Sequence, residues 1–383
     1  MRRAGPAQRE RLAETFAALC RIASPFGHER ECADAVAARV RALGLAVEED
    51  GAAGPAEAGA GNLLARLPGR GGDDGPWLLL CAHLDTVDTA VPVDPVVVDG
   101  AWENANDGIL GADNKAAIAV ILETARAWAH SPEPPPVGLE LLFTVAEENG
   151  LRGALALDRG RLRARTGYVF DHATPIGEVI VASPTMYRLR AEFHGRAAHA
   201  GIRPEAGRSA ILAAARAVAA MPLGRLDPGT TTNVGNIEGG VGSTNVVPER
   251  CTLLAEARAV DPGRAEAVVA DLLHAVQDGA VATECDVDVD CEKLFAGYRI
   301  RPSDPAVQAA EAALRACGHE PLRVTTGGAS DANALHSSGL TMVNLANGTE
   351  HNHEPTERVT VSALEGMLDV SLALVDEVAA RAC

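Results

Sequence analysis

The sequence predicts a two-domain α/β protein: a mostly parallel α/β/α layer interrupted by an inserted ferredoxin-like α+β domain. Three observations carry this. Between residues 62 and 183, apolar runs of strand length alternate with helical periodicity, the mark of helices laid on a parallel sheet. From 184 to 293 the element order becomes β-α-β-β-α-β, the split, ferredoxin-like arrangement. After 294 the first style resumes, so 1–183 and 294–383 form one domain and 184–293 another.

In chain order, apolar positions at three- and four-residue steps predict helices over about 7–22 and 29–43. Residues 51–61, mostly Ala, Gly and Pro, read as a loop. Strands follow at 62–67 and 77–81 around a Gly/Asp-rich turn at 69–76. A helix over 116–129 is stopped by the Pro-rich 131–136. Apolar strands are expected at 139–145 and 167–170. In the insert, 186–193 alternates apolar and polar residues like a half-exposed strand. A helix at about 206–220, strands near 230–238 and 246–259, a helix at about 262–278 and a strand near 282–290 complete it. The tail reads as a helix (305–317), a strand (341–345) and a closing helix (361–381).

Composition narrows the function. Apolar residues make up 47% and charged residues 22%, enough to bury a large core. With 34 basic against 52 acidic side chains, the net charge of −18 repels phosphate and anionic lipid, which excludes nucleic-acid and membrane partners. No apolar run approaches the roughly 18–20 residues that span a bilayer. The basic pair Arg2-Arg3 lacks the apolar stretch of a signal peptide. Eight scattered cysteines without a CxxC pair suit a reducing compartment, and a cytoplasmic location is expected.

Clusters rich in acid and His fall where strands are expected to end, the usual place for sites in open α/β sheets. They are His83-Leu84-Asp85, Asp113-Asn114-Lys115, Glu147-Glu148, Asp171-His172 and Glu350-His351-Asn352-His353. Carboxylates directly after apolar strands are costly to bury without a cation. His, Asp and Glu without Cys suit a hydrolytic zinc, cobalt or manganese site.

The runs His83-Leu84-Asp85-Thr86-Val87, Leu110 to Ala117 and Glu147-Glu148 resemble the M20 family of dinuclear metallopeptidases, in its peptidase T-like branch. Gly328-Ala329-Ser330-Asp331-Ala332-Asn333 and the spacing of His353 to Glu357 before Val359-Thr360 continue the resemblance in order. It implies two divalent ions, zinc with cobalt or manganese as alternatives, bridged by one carboxylate. His83, Asp113 and Asp171 would hold one ion; Asp113, Glu148 and His353 the other. Asp85 would accept the second N–H of His83 and set its tautomer. Glu147 would be the general base. Neighbouring strand residues point to opposite faces, so Glu147 and Glu148 reach one site only if the strand has ended before them.

In the insert, Phe193-His194-Gly195-Arg196-Ala197-Ala198-His199-Ala200-Gly201 resembles the family's segment whose second His reaches the partner subunit's site. That implies a homodimer and makes His199 an oxyanion donor. Asn245 and Arg258 resemble substrate-contacting positions, with a salt-bridged strand Arg as the other reading of Arg258. His194 is read as structural, His351 as a loop residue and His336 as packed or surface; His28, His130, His274 and His319 have bland surroundings. His172 is left unassigned, and Asp331 is expected to order a loop or touch substrate. The expected activity is hydrolysis of an amide bond in short peptides. Deacylation of N-acyl or N-carbamoyl amino acids, and a non-catalytic binding role, are the alternatives.

Overall fold

A computed structural model describes residues 3–381; Met1, Arg2, Ala382 and Cys383 lie outside them, and with them part of the basic pair and the last cysteine. The chain divides into two compact units, one built from residues up to Val181, Arg299–Val324 and from Ala329 onward, the other from Ala182–Tyr298 and Thr325–Gly328.

The first unit contains a nine-stranded sheet. Its middle runs Gly138–Thr144, Trp77–His83, Thr166–Phe170, Thr341–Leu345, all parallel. Leu63–Leu67 and Glu178–Ser183 flank these strands antiparallel. Every residue of Trp77–His83 and Gly138–Thr144 is buried, as expected of strands covered on both faces. Helix Ala112–Ala129 lies on Trp77–His83 and packs against Pro6–Cys20 and Val361–Ala379.

The structure adds elements that periodicity does not reveal. Residues 51–61 contain a short helix, Ala53–Ala56. The helix expected from 116 begins at Ala112, but Asp113 and Asn114 leave helical geometry within it. A hairpin of Pro95–Val98 and Ala101–Asn104 joins Arg358–Thr360 and Thr349–Glu350 in a four-stranded sheet. These strands have two to four residues, too short for an alternation to register.

In the second unit the sheet order is Gly224–Asp227, Thr230–Gly239, Arg250–Ala259, Thr185–His194, Asp286–Phe295, antiparallel throughout. Without the extra edge strand Gly224–Asp227, this is the ferredoxin-like order. Helices Ala210–Ala220 and Pro262–Val281 pack on each other and on the sheet over a core that includes Leu189, Phe193, Leu253, Val268 and Leu272. The last strand starts at Asp286, later than expected, because 282–285 form the turn that closes the preceding helix. The seven described cysteines are all free thiols. Among the described residues no helix is long and apolar enough to cross a membrane.

Candidate metal centre

Parallel strands end at one edge of the sheet, so the residues just past those ends meet there. Ligand atoms of His83, Asp113 and Asp171 lie within 4.8 Å of one another, as do those of Asp113, Glu148 and His353, and of His83, Glu147 and Glu148. The two oxygens of Asp113 face different imidazoles. Oδ1 is 3.3 Å from His83 Nε2, and Oδ2 is 3.5 Å from His353 Nε2. His353 Nε2 also lies 3.0 Å from Glu148 Oε1.

Local backbone explains how these side chains converge. The strand before Glu147 ends at Thr144, and a turn follows in which Glu147 O accepts from the N–H groups of Gly150 and Leu151. Both glutamates are therefore free of strand alternation. Ala146, Leu151, His351 and His353 adopt left-handed φ of 53°, 62°, 57° and 69°, a conformation that non-glycine residues keep only where their surroundings enforce it.

Buried polar side chains hold the backbone around the ligands. The Asp85 carboxylate accepts from Glu147 N and Glu148 N, each at 3.0 Å. His83 Nδ1 lies 2.9 Å from the backbone oxygen of Asp85 and 3.6 Å from its Oδ1. Asp85 thus contacts His83 through its main chain and, at longer range, through its carboxylate, which also holds the glutamate turn, a task its spacing does not announce. Glu357 accepts from Gly111 N (2.7 Å) and Asp113 N (3.0 Å). Asn344 accepts from Asp171 N (3.0 Å) and donates to Asp171 O (2.8 Å). Asn352 donates to Asp113 Oδ2 at 2.8 Å. Asn344 and Asn352 were missed by sequence reasoning because each acts across the fold and leaves no spacing to read.

The electrostatics call for positive charge. Burial, then the charge of Asp113, pushes Asp171 well above the usual carboxylate range. Burial and Asp171 do the same to Glu147. Burial opposes ionisation of Asp113, yet His353 and His83 hold it well below its ordinary value. Asp113 and Glu148 raise His353 to about 10. Burial disfavours a charged His83, but Asp113, Asp85 and Glu147 outweigh it and raise its pKa well above the usual value. Among the described residues the only ion-pair partners of Asp113, Glu147, Glu148 and Asp171 are these two imidazoles; no Lys or Arg joins them. Four crowded carboxylates with two imidazoles and no thiolate are a donor set for hard or borderline divalent cations.

Asp331 is buried and bonds Thr144 Oγ1, with Cys81 Sγ at 3.8 Å, and burial raises it to about 6. His172 lies 3.5 Å from Glu178. His351 faces a cavity of about 600 Å³, walled also by Ile176 and His319, that includes none of the six clustered residues. In the second unit, the 199–200 segment pairs with 245–246: Ala200 N donates to Asn245 O at 2.9 Å, and His199 bridges Val246. The Nδ1 of His199 accepts from Gly201 N at 3.2 Å. Arg258 forms a two-pronged pair with Glu256 at 2.9 and 3.2 Å, the salt-bridged arrangement. His194 pairs with Asp288 at 3.0 Å.

Comparison with known proteins gives two family models: a peptidase dimerisation domain over residues 183–294 and peptidase family M28 over 62–176. The uncharacterized protein YqjE of Bacillus subtilis is 36% identical over 97% of this chain and 99% of its own length. The crystal structure of aminopeptidase PepT from Bacillus cereus shares 36% identity, with TM-score 0.87 over 97% of this chain and 99% of that one. A tripeptidase from Staphylococcus aureus matches at 33% identity and TM-score 0.91, over the same shares of both chains.

Proposed function

Given that this chain belongs to the M20 family of metallopeptidases, in its peptidase T-like branch, we propose that it hydrolyses a terminal peptide bond of short peptides at the Asp113 centre. The observation that carries this reading is the division of the Asp113 carboxylate between two imidazoles, the placement expected of a bridging ligand. In this reading His83, Asp113 and Asp171 hold one divalent ion and Asp113, Glu148 and His353 a second, with zinc favoured and cobalt or manganese as substitutes. Such a pair supplies positive charge that polarises the scissile carbonyl and acidifies water.

The remaining work falls to this chain's own side chains. Glu147 takes a proton from the attacking water and delivers it to the leaving amine nitrogen. Asp85 fixes Glu147 and Glu148 through their backbone N–H groups. The unit built around 182–298 acts as lid and dimerisation domain of a homodimer, from which His199 donates to the developing oxyanion of the partner's site. Asn245 and Arg258 contact substrate, Arg258 by exchanging Glu256 for a peptide carboxylate. The scattered free thiols fit a cytoplasmic enzyme.

The test is mass spectrometry of products from a mixed di- and tripeptide library, with zinc, cobalt or manganese added and Glu147→Gln as the blank. Shortened peptides that depend on Glu147 are the expected result. Cleavage confined to N-acyl or N-carbamoyl amino acids would move the activity to the deacylases, and no turnover with metal bound would make the protein a binding module.

A further inference from the structure

The carboxylate of Asp113 is flanked by two asparagine amides, one at each oxygen. Asn352 Nδ2 donates to Oδ2 at 2.8 Å. Asn114 Nδ2 lies 3.4 Å from Oδ1 and donates to Phe170 O at 3.0 Å, the carbonyl just before Asp171. Asn114 is fully buried and adjacent to Asp113 in the chain, whereas Asn352 reaches it from 239 residues away. The turn that presents Asn352 is closed by Glu354 N, which donates to His351 O at 3.0 Å.

Both amides are held in a costly orientation. The Oδ1 atoms of Asn114 and Asn352 are buried and have no hydrogen-bond partner. A buried acceptor without a donor loses free energy, and an amide ordinarily turns to avoid this. Here turning either one would set its oxygen against a carboxylate oxygen of Asp113, and for Asn114 against the Phe170 carbonyl as well. Each amide is therefore committed to donating.

The consequence follows from counting acceptor positions. A carboxylate offers about four, two on each oxygen. An amide takes one on Oδ1 and one on Oδ2, while His83 Nε2 lies 3.3 Å from the first oxygen and His353 Nε2 3.5 Å from the second. Being neutral, the amides occupy lone pairs without cancelling the negative charge, as a Lys or Arg would. Each oxygen keeps one open position, and the carboxylate keeps its full attraction for cations.

We propose that Asn114 and Asn352 are positioning residues that divide Asp113 between two ions, one per oxygen, and that Asn352 secures the ion held by Glu148 and His353. The assignment rests on the two-ion reading of the centre and adds to it what keeps this carboxylate from turning both oxygens to one ion.

Zinc titration of metal-free protein, followed by calorimetry, reads the ions without turnover. Asn352→Leu, which removes the amide, should weaken one ion about 10–100-fold and spare the other. Single-ion backgrounds locate the effect. In Asp171→Ala, which retains the ion of Glu148 and His353, adding Asn352→Leu should cost the same factor of about 10–100. In His353→Ala it should change zinc affinity by no more than about twofold. Asn352→Ala should repeat the pattern, so the result does not depend on how leucine packs. With cobalt in place of zinc, the visible absorption of the loaded protein should lose one of two contributions. His351→Ala, in the same turn but lining the separate cavity beside Ile176, should keep both ions at wild-type affinity. Equal weakening in the two single-ion backgrounds, weakening in neither, or loss of an ion in His351→Ala overturns the assignment and leaves the two-ion centre standing. Wild-type protein that takes up fewer than two ions overturns the two-ion reading, and the assignment with it.

Discussion

Glu357 sets the position of Asp113 without touching its carboxylate, by accepting two backbone N–H groups on either side of Ala112. Glu357→Gln replaces one acceptor with an amide donor that faces an N–H. Metal affinity should fall about 10–100-fold, as for other supports of ligands, in a zinc titration. Asp113→Ala should remove both ions from the two-metal complement, whereas Asp171→Ala or His353→Ala should remove one, as read by elemental analysis. An Asp113→Ala protein with two ions at wild-type affinity would refute the bridge. Glu147→Gln should keep its metal yet lose about 10²–10⁴-fold in turnover, while Glu148→Gln should lose metal first. The reverse pattern would exchange the two roles. At this scale His83, Glu147, Glu148 and Asp171 were legible because they end or follow apolar strands, whose ends converge, whereas Asp113 and His353 were named only by the family resemblance. The supports were not. Asn344 acts on Asp171 across 173 positions and Asn352 on Asp113 across 239, so no local pattern links them.

Elements bear out the periodic reading where they are long and amphipathic. Pro305–Cys317 and Thr341–Leu345 match the expected bounds, and Val361–Ala379 differs only at its end. Short elements stabilised by distant partners escape it, above all the hairpin 95–104, whose pairing with Arg358–Thr360 brings the 353–357 loop towards Gly111. Close approach of two helices is equally invisible in one helix's pattern. A Cβ on Gly279 would sit 2.6 Å from Ala213 O and 2.9 Å from Ala217 N, where Pro262–Val281 crosses Ala210–Ala220. Gly279→Ala gains up to about 1 kcal/mol in helix propensity. Overpacking against backbone costs roughly 1–3 kcal/mol, so net destabilisation should appear in thermal unfolding. Gly54→Ala, whose Cβ meets nothing within 4 Å, is the control and should unfold no lower than wild type.

For the whole molecule, the proposed homodimer makes a complementation experiment decisive. His199→Ala and Glu147→Ala should each be nearly inactive, since loss of one oxyanion donor alone costs about 10²–10³-fold. If His199 serves the partner's site, a mixed dimer carries both lesions in one site and leaves the other whole. Random re-pairing should then restore about a quarter of wild-type activity, because half the dimers hold one good site of two. Exchanged subunits that recover nothing would return His199 to its own chain or to no catalytic role. By itself the sequence determined the two-style architecture and the β-α-β-β-α-β insert, because periodicity and element order are local properties that any folded context must satisfy. Only the tertiary structure decided that the Asp85 side chain holds the glutamate turn, and that Glu357 and Asn344 secure Asp113 and Asp171. Those arrangements are hydrogen bonds to backbone groups far away in the chain, and a backbone N–H has no identity in a sequence.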